Sequence, residues 1–400
     1  MPNKARHSVP TATSRISPGA DAPPATLISR GQRAPAAEYD VALLDLDGVV
    51  YSGPQAIDGA PEALARAREA GLRLAFVTNN ASRSPSAVAE HLNRLGVPAR
   101  SSDVVTSAQA AATVIAERFP PGSAVLVAGS NGLRIALRER GLRPVSLAAD
   151  RPVAVVQGFV PGINYELLAE AGVAVRDGAF YVATNSDSTL PTPRGPQPGN
   201  GSLLAVIITA TGVQPVLAGK PQTPLHAEAV ARTGAKRPLV VGDRLDTDIE
   251  GAVRGGADSM LVLTGVTSPK GAVLAPPAQR PTYVAADLGG LVEPQPVIGP
   301  RGGPMTGFPA DASAEATEAP SQLADRQSRA GVVPQDDNQA RTFRCGGWHA
   351  LRPGGSSPIE LSGDGSWIDG LRVLCAAAWA AGHVTEDMVA AALKVLSVAR

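Results

Sequence analysis

The sequence predicts an α/β protein: a doubly wound, mostly parallel sheet with an inserted α/β unit and a small C-terminal accessory segment. Near-continuous apolar runs of strand length, such as VALLDL and PLVVG, alternate with stretches of helical apolar spacing. Strands of a parallel sheet read this way because helices cover both of its faces. Apolar residues make up 44% of the chain, which is enough to bury a sizeable core.

The first elements of the sheet are predicted from about Val41 onward. The run VALLDL is followed by a helix with Pro61 in its first turn and Gly71 as its C-cap. The next strand is LRLAFVTNN, and the helix after it begins with Ser84 as N-cap and Pro85 at its first position. Near the other end of the sheet, PLVVG and SMLVLTG repeat the strand, helix, strand order.

Composition and pattern divide the chain into five kinds of segment. The first and fourth are rich in small residues and proline and lack an apolar period, which indicates disorder or linker structure. The last contains FRCGGWHALR, a candidate strand, and two stretches of helical spacing. The predicted segments are a disordered leader (1–37), a core (38–106 and 214–292), an inserted cap (107–213), a flexible linker (293–341) and an α/β or helical accessory module (342–400).

Charge and composition exclude several classes of function. The formal net charge is zero, which argues against a surface for nucleic acid or anionic membrane. Aromatic residues are only 4% of the chain, too few to form stacking platforms for single-stranded nucleic acid. The two cysteines, Cys345 and Cys375, have no metal-site spacing and favour a reducing compartment, so a cytoplasmic location is predicted. No apolar run reaches the ~18 residues that a membrane-spanning helix needs.

Polar, phosphate- or metal-capable residues follow four apolar runs, and the ends of parallel strands share one edge where such folds bind ligands. The residues are Asp45 and Asp47 after VALL, Thr78, Asn79 and Asn80 after LRLAFV, Lys220 after PVLAG, and Asp243 with Asp248 after PLVVG. Side chains at i and i+2 of a strand point the same way, so Asp45 and Asp47 are predicted to lie together. Two adjacent carboxylates repel each other, and their pairing needs a chemical reason.

This set of motifs resembles the haloacid dehalogenase (HAD) superfamily of phosphatases. The resemblance rests on DLDGVVY, TNN, GKP and GDRLDTDI, which occur in this order between Val41 and Leu288. The long gap between TNN and GKP resembles the type C2 cap of subclass IIA. Within it, ATNSDSTLPTPRGPQPGNGSLL is similar to the group that contains pyridoxal-phosphate, phosphoglycolate, 4-nitrophenyl-phosphate and glycerol-3-phosphate phosphatases. The cap and the C-terminal extension look most like bacterial glycerol-3-phosphate phosphatases.

The resemblance implies a Mg²⁺-dependent phosphomonoester hydrolase that works through an aspartyl-phosphate. Its implied substrate is a small phosphorylated metabolite, glycerol 3-phosphate first, with pyridoxal phosphate and phosphoglycolate as alternatives. The side chains of Asp45 and Asp243 and the backbone carbonyl of Asp47 are implied to bind Mg²⁺. Asp45 is implied to be the nucleophile and Asp47 the general acid and base.

The remaining site residues are also assigned by resemblance. Asp248 is implied to orient Lys220 or a metal-bound water, and the cap residues Asn185 and Asp187 either contact the leaving group or hold a cap loop together. Caps of this type pair two chains in the family, which implies a homodimer. The implied phosphate-binding residues are Thr78, Asn79, Asn80 and Lys220.

Three other functions explain parts of the pattern. A receiver-type switch also combines an acceptor Asp with Thr and Lys at strand ends, but it leaves the pairing of Asp45 and Asp47 unexplained. A P-loop enzyme requires Ser or Thr after the lysine, where this chain has Pro221. A non-catalytic phosphate-binding scaffold remains open, although the intact motifs favour an enzyme.

Overall fold

The computed structural model describes residues 33–190, 192, 194–296, 298–300, 340–380 and 383–399. The described chain forms three larger sheets: a six-stranded core sheet, a five-stranded sheet in the inserted cap, and a four-stranded C-terminal sheet. No helix among the described residues is both long and apolar enough to cross a membrane.

The elements follow one another in an alternating order through the core and the cap. The first part of the core contains β1 (Val41–Leu44), β2 (Tyr51–Ser52), β3 (Gln55–Ala56), α1 (Ala60–Glu69), β4 (Arg73–Thr78), α2 (Pro85–Arg94) and β5 (Val104–Thr106). The cap follows with α3 (Ser107–Ala116), β6 (Ala124–Ala128), α4 (Asn131–Glu139), β7 (Arg143–Val145), β8 (Ala154–Gln157), α5 (Tyr165–Arg176), β9 (Phe180–Ala183), β10 (Thr189–Leu190), β11 (Gln197–Pro198), α6 (Asn200–Thr211) and β12 (Val216–Leu217).

The chain then returns to the core and ends in the C-terminal module. The second part of the core contains α7 (Thr223–Thr233), β13 (Pro238–Gly242), α8 (Glu250–Arg254), β14 (Asp258–Val262), α9 (Pro269–Val273) and β15 (Tyr283–Ala285). The C-terminal module contains β16 (Gly299–Pro300), β17 (Arg341–Cys345), β18 (Trp348–Arg352), β19 (Glu360–Ser362), α10 (Trp367–Trp379) and α11 (Glu386–Ala399). Short 3₁₀ turns occur at Pro35–Ala37, Ser101–Asp103, Ala148–Asp150, Pro277–Gln279 and Leu288–Leu291, and a π-helical turn at Leu245–Ile249.

The core sheet is parallel throughout, with strand order β15-β14-β13-β1-β4-β5. The chain first builds outward from β1 through β4 to β5, and after the cap it builds in the other direction from β13 to β15. Strand order therefore reverses at β1, and ligands of doubly wound sheets bind at the carboxyl end of such a reversal. All four residues of β1 are buried, as expected for a strand covered on both faces. The predicted fold class is confirmed.

The inserted cap has its own parallel sheet, in the order β12-β9-β8-β6-β7. Its last strand lies beyond residue 213, where the sequence places the end of the insertion, because Val216 pairs with Val182 of β9. A two-residue strand is too short to show a pattern in the sequence. At the other boundary, α3 packs on both α7 of the core and α4 of the cap, so it belongs to both units.

The C-terminal module is an antiparallel sheet, β16-β17-β18-β19, with α10 and α11 packed on it. The single strand predicted over FRCGGWHALR is two strands, because the chain turns at Gly346, which has φ +56°. Both predicted helices are present as α10 and α11. Part of the predicted linker is structured as well: Gln295 is buried, and Gly299 pairs with Arg344.

The last residues of the predicted disordered leader (1–37) are structured. Pro35 and Ala36 are buried in the 3₁₀ turn that precedes β1, and Ala36 belongs to the apolar core cluster. Apolar burial against the core offsets the composition that predicted disorder. The rest of the predicted leader (1–32) and most of the predicted linker (301–339) lie outside the described residues.

Candidate active site

Three neighbouring strands place Asp45, Asp243 and Thr78 at one edge of the core sheet. Lys220, predicted after a strand of the same sheet, instead follows β12 of the cap sheet. β1 ends just before Asp45, β13 just before Asp243, and β4 at Thr78. The predicted continuation of β1 through Asp47 is wrong: the strand ends at Leu44, and the chain turns there, with the Gly48 amide donating to Tyr51 O at 2.8 Å. The two aspartates therefore lie on a loop and not on one side of a strand.

Lys220 connects two of the carboxylates. Its ammonium group donates to Asp45 Oδ1 at 2.5 Å and to Asp248 Oδ1 at 2.6 Å. The other oxygen of Asp248, Oδ2, accepts from the Arg244 amide at 3.2 Å. Because both oxygens of Asp248 are engaged, this geometry supports the predicted role of holding Lys220 in place.

Asp243 is held by hydrogen bonds from the loop of residues 264–267. Its Oδ2 atom accepts from the Val266 amide at 2.7 Å, and its backbone carbonyl accepts from the Thr267 amide at 3.2 Å. Gly48 has φ +83°, and a Cβ atom there would lie 2.5 Å from Asp243 Oδ2. Glycine is thus required at this position by both the turn and the close approach.

The charges of the cluster fit a divalent cation. Among the described residues, Asp45, Asp243 and Asp248 form a group in which one carboxylate oxygen from each side chain lies within 4.8 Å of the others. Lys220 balances one of their three charges, so two negative charges are in excess when all are ionised. Asp243 Oδ1 is buried and accepts no hydrogen bond in the described structure. A buried oxygen without a partner is costly, and hard oxygen ligands are those that Mg²⁺ prefers.

The electrostatics of the site reflect this excess of negative charge. Burial, followed by the charge of Asp248, raises the pKa of Asp243 to about 6. Burial also raises the pKa of the Asp45 carboxyl, against the opposing effect of Lys220. Asp47 lies on the exposed side of the loop, yet loss of hydration at the wall of the site raises its pKa, while Arg83 lowers it. A raised pKa suits a carboxyl that must donate a proton.

The side chains of the loop after β4 are engaged in hydrogen bonds to the backbone. Thr78 is buried at the end of the strand, and its hydroxyl oxygen accepts from the Asn80 amide at 3.1 Å. The Asn79 side chain faces the backbone of Lys220, where Oδ1 accepts from the amide at 2.8 Å and Nδ2 donates to the carbonyl at 3.2 Å. Asn80 Oδ1 accepts from the Ser82 amide at 2.8 Å. Asn79 and Asn80 thus shape the loop with their side chains.

The cap reaches this loop through Asn185. Its Nδ2 atom donates to the Asn79 carbonyl at 2.9 Å, and its Oδ1 atom accepts from the Asp187 amide at 3.2 Å. Burial raises the pKa of Asp187, while the charges of Arg244 and Lys220 lower it. The alternative in which Asn185 fixes a cap loop has this geometry in its favour.

Comparison with known proteins matches three family models to the chain. The haloacid dehalogenase-like hydrolase model matches residues 42–143, and a second HAD-hydrolase-like model matches residues 217–291. A model for a GCN5-related N-acetyltransferase-like domain matches residues 345–398. The first two matches contain the carboxylates and the lysine of the site, and the third lies in the C-terminal module.

A D-glycerol 3-phosphate phosphatase from Mycobacterium tuberculosis is 51% identical over 269 residues, which cover 65% of this chain and 75% of that protein. The chain belongs to the haloacid dehalogenase-like hydrolases. The 5′-nucleotidase YutF of Bacillus subtilis is 38% identical, over 62% of this chain and 96% of its own. A crystal structure of a glycerol phosphate phosphatase from M. tuberculosis, in complex with magnesium, has a TM-score of 0.73 and 40% identity, and covers 92% of this chain and 99% of that one.

The family assignment confirms the predicted enzyme class, a phosphoric monoester hydrolase, and the predicted magnesium cofactor. The unpartnered oxygen of Asp243 agrees with its predicted role as a metal ligand. The individual roles of the site residues remain predictions.

One part of the site was missed by sequence reasoning: the loop formed by residues 264–267. Besides the two bonds to Asp243, this loop carries Thr264, whose hydroxyl donates to the Gly48 carbonyl at 2.6 Å. A side chain at Gly265 would overlap the Asp243 carboxylate. The signal was present in SMLVLTGVTS, where small and hydroxyl residues follow another strand of the same parallel sheet.

Proposed function

We propose that this protein hydrolyses glycerol 3-phosphate and that the residues around Lys220 carry out the reaction through an aspartyl-phosphate. The observation that carries the proposal is the convergence of Lys220 with Asp45 and Asp248, beside the free oxygen of Asp243. Bound Mg²⁺ would be held by Asp45 and Asp243 and would supply positive charge against the anionic ester.

In the first half-reaction, Asp45 attacks the phosphorus atom of the ester. Asp45 Oδ1 is bound by Lys220, and among the described residues Oδ2 accepts no hydrogen bond, so Oδ2 is the oxygen that forms the new bond to phosphorus. The bond from phosphorus to the ester oxygen breaks, and Asp47 gives its proton to the leaving glycerol oxygen. Lys220 offsets charge on the transferring group, and the amides after Thr78 bind its oxygens.

In the second half-reaction, Asp47 now acts as a base. It takes a proton from a water molecule, which attacks the phosphorus atom of the aspartyl-phosphate. The bond from phosphorus to Asp45 breaks, which releases inorganic phosphate and restores the carboxylate. The raised pKa of Asp47 supports this double use, because the group must hold a proton at the start of the cycle and return to that state at its end.

Glycerol 3-phosphate is the substrate favoured by the relatives, since both the 51% identical protein and the structure that covers 92% of the chain carry glycerol phosphate in their names. The test is phosphate release by the purified chain with Mg²⁺ from glycerol 3-phosphate, pyridoxal phosphate, phosphoglycolate and a nucleoside monophosphate. We expect kcat/KM to be at least about tenfold higher for glycerol 3-phosphate, a difference of ~1.4 kcal/mol. A preference of that size for another ester would contradict the substrate, and no release from any ester would favour the scaffold.

We also propose that two chains pair through the cap and that the enzyme works in the cytoplasm. Val173 of α5, Val206 of α6 and Val216 of β12 are 42%, 48% and 41% exposed. An apolar helix surface beside an unpaired edge strand is a favourable surface for association. Light scattering should give a dimer mass for the chain and a monomer mass for Val206→Asp; a monomeric chain would exclude the pairing.

The free thiols of Cys345 and Cys375 agree with a reducing compartment.

A further inference from the structure

The C-terminal module packs on the core directly behind the candidate active site. One apolar cluster joins the two units, with Ile249, Leu261 and Val273 from the core and Leu371 and Trp379 from the module. Ile249 belongs to the π-helical turn that carries Asp248. Within the described residues, the module itself contributes no side chain to the carboxylate cluster.

Two buried arginines fasten this junction. Arg280 donates to the carbonyls of Ala275 in the core and Trp379 in the module, at 3.1 and 3.0 Å. Arg372 of the module donates to the Val284 carbonyl at 2.7 Å. A buried guanidinium is costly unless its donors are paired. The junction therefore specifies one relative placement of the module and the core more sharply than apolar contact alone.

The module also holds the end of α9. Trp379 is 7% exposed, and its indole Nε1 donates to the carbonyls of Ala272 and Val273, both at 3.2 Å. These residues are the last two of α9, whose final carbonyls have no partner within the helix. α9 has only five residues, far fewer than the ~12 that a helix needs to persist by itself. Its position therefore depends on its contacts with the module.

α9 follows almost directly on the loop that positions Asp243. Ser268 caps the helix by accepting from the Gly271 amide at 3.1 Å. The two residues before it, Val266 and Thr267, donate to the carboxylate and the carbonyl of Asp243. A continuous path of hydrogen bonds and one short helix thus connects Trp379 with the carboxylate that has the free oxygen.

We propose that the C-terminal module is a positioning unit for the divalent-cation site: Trp379 fixes α9, and α9 fixes the loop of residues 264–267 that holds Asp243. The cation in this inference rests on the proposed function, but the ordering of the loop does not. Trp379 is a positioning residue, because it acts on Asp243 only through the loop. The module then sets how tightly the enzyme binds Mg²⁺ without touching the substrate.

The test compares Trp379→Phe with Trp348→Phe in the full chain. Trp348 lies in the same module and is 2% exposed, and its indole nitrogen has no hydrogen-bond partner in the described structure. Both substitutions shrink a buried indole to a phenyl ring, but only the first removes a bond to the core. The comparison thus separates positioning of the loop from general stability of the module.

The first measurement is hydrogen exchange of the amides of residues 264–268 in metal-free protein, which requires no turnover. We expect exchange to be roughly five- to tenfold faster in Trp379→Phe, the effect of losing one hydrogen bond, and unchanged in Trp348→Phe. The second is the apparent Kd for Mg²⁺, obtained from the dependence of Tm on Mg²⁺ concentration. It should rise roughly three- to tenfold in Trp379→Phe alone, in the direction seen when groups behind a metal ligand are removed.

Equal changes in the two variants, or unchanged exchange in Trp379→Phe, would overturn the proposal and reduce the module to a structural attachment. Should Trp379→Phe fail to fold, Arg280→Lys weakens a neighbouring contact of the same junction, because one ammonium group cannot reproduce the two guanidinium bonds to the Ala275 and Trp379 carbonyls, and the same outcomes apply. If the chain hydrolyses no phosphate ester, the exchange measurement still decides the role of the module. Failure of the proposed function and failure of this inference therefore give different results.

Discussion

The cap and the C-terminal module are both additions to the same α/β core, but they contact different parts of it around the active site. The cap touches the loop after β4 directly: Asn185 donates to the Asn79 carbonyl at 2.9 Å, and Ser130 donates to the Ala81 carbonyl at 3.0 Å. Among the described residues, the module contributes no side chain to the carboxylate cluster, and it contacts α9 through Trp379.

This difference indicates that the cap and the module influence the same catalytic groups in two different ways. A unit whose side chains border the mouth of the site can change which leaving group fits. A unit that packs behind the carboxylates can change only how firmly they are held. Substitutions in the cap should therefore alter KM and selectivity, whereas substitutions in the module should alter the dependence on Mg²⁺.

The largest effect is expected from Asp45→Asn. Asp45 lies in the core, outside both the cap and the C-terminal module, and the loss of activity in this variant is the reference for the variants of the cap and the module. An amide cannot replace the carboxylate as nucleophile, so kcat should fall by at least ~10⁴-fold, as for other enzymes that lose their nucleophile. Phosphate release from glycerol 3-phosphate measures this loss, and mass spectrometry controls for deamidation. Retained turnover in protein free of deamidation would remove Asp45 from its role.

Asp248→Asn should have the next largest effect, and it tests how the carboxylate that holds Lys220 influences the metal site. The amide keeps the shape of the side chain but removes the charge that holds Lys220 at 2.6 Å. We expect the Mg²⁺ concentration for half-maximal rate to rise roughly 10- to 100-fold. A Mg²⁺ titration of the rate measures it, and an unchanged midpoint would show that Asp248 does not influence the metal site.

Asn185→Ala tests the front of the site with a smaller effect. The substitution removes one hydrogen bond between the cap and the loop after β4, so KM for glycerol 3-phosphate should rise roughly fivefold, while the Mg²⁺ midpoint stays constant. Asn164→Ala is the matched control, because Asn164 caps α5 in the same cap by accepting from the Leu167 amide. A shift in the Mg²⁺ midpoint, with KM unchanged, would contradict the expectation that the cap affects substrate binding and the module affects metal binding.

The smallest effect is expected where the cap meets the core, at Glu228. Burial alone would raise the pKa of this α7 carboxyl, but hydrogen bonds from Arg232 and Thr113 and the charge of Arg140 bring it below its usual value. Glu228→Gln should lower the free energy of unfolding by about 1–2 kcal/mol near pH 7 with little change in kcat.

The pH dependence of that loss follows from the sign of the shift. A carboxyl with a lowered pKa in the folded state stabilises the fold fully above its unfolded pKa of 4.5, and less as the pH falls below that value. The difference in unfolding free energy between the original chain and Glu228→Gln should therefore shrink below about pH 4.5. Denaturant unfolding at several pH values measures it, and a difference independent of pH would assign the effect to packing.

The convergence of Asp45, Thr78 and Asp243 could be predicted from the sequence, because polar residues after neighbouring strands of one parallel sheet share an edge. The route of Lys220 could not, because Lys220 follows β12 of the cap sheet and not a strand of the core sheet. Lys220 and Asp45 are 175 positions apart, and their side chains meet at 2.5 Å. The orientation of Asn79 toward the Lys220 backbone could not be predicted in this way. An amide side chain serves equally well as a phosphate ligand or as a brace, and only the position of its neighbours selects between the two.

Local pattern alone thus determined the α/β class, the insertion, and the group of acids with one lysine, since burial period and strand-end polarity are written along the chain. Tertiary structure decided where β1 stops, that β12 joins the cap sheet, and that the 264–267 loop braces Asp243 in front of α9 and Trp379. These features depend on hydrogen bonds between segments far apart in sequence, whose free energy exists only once packing has brought the partners together.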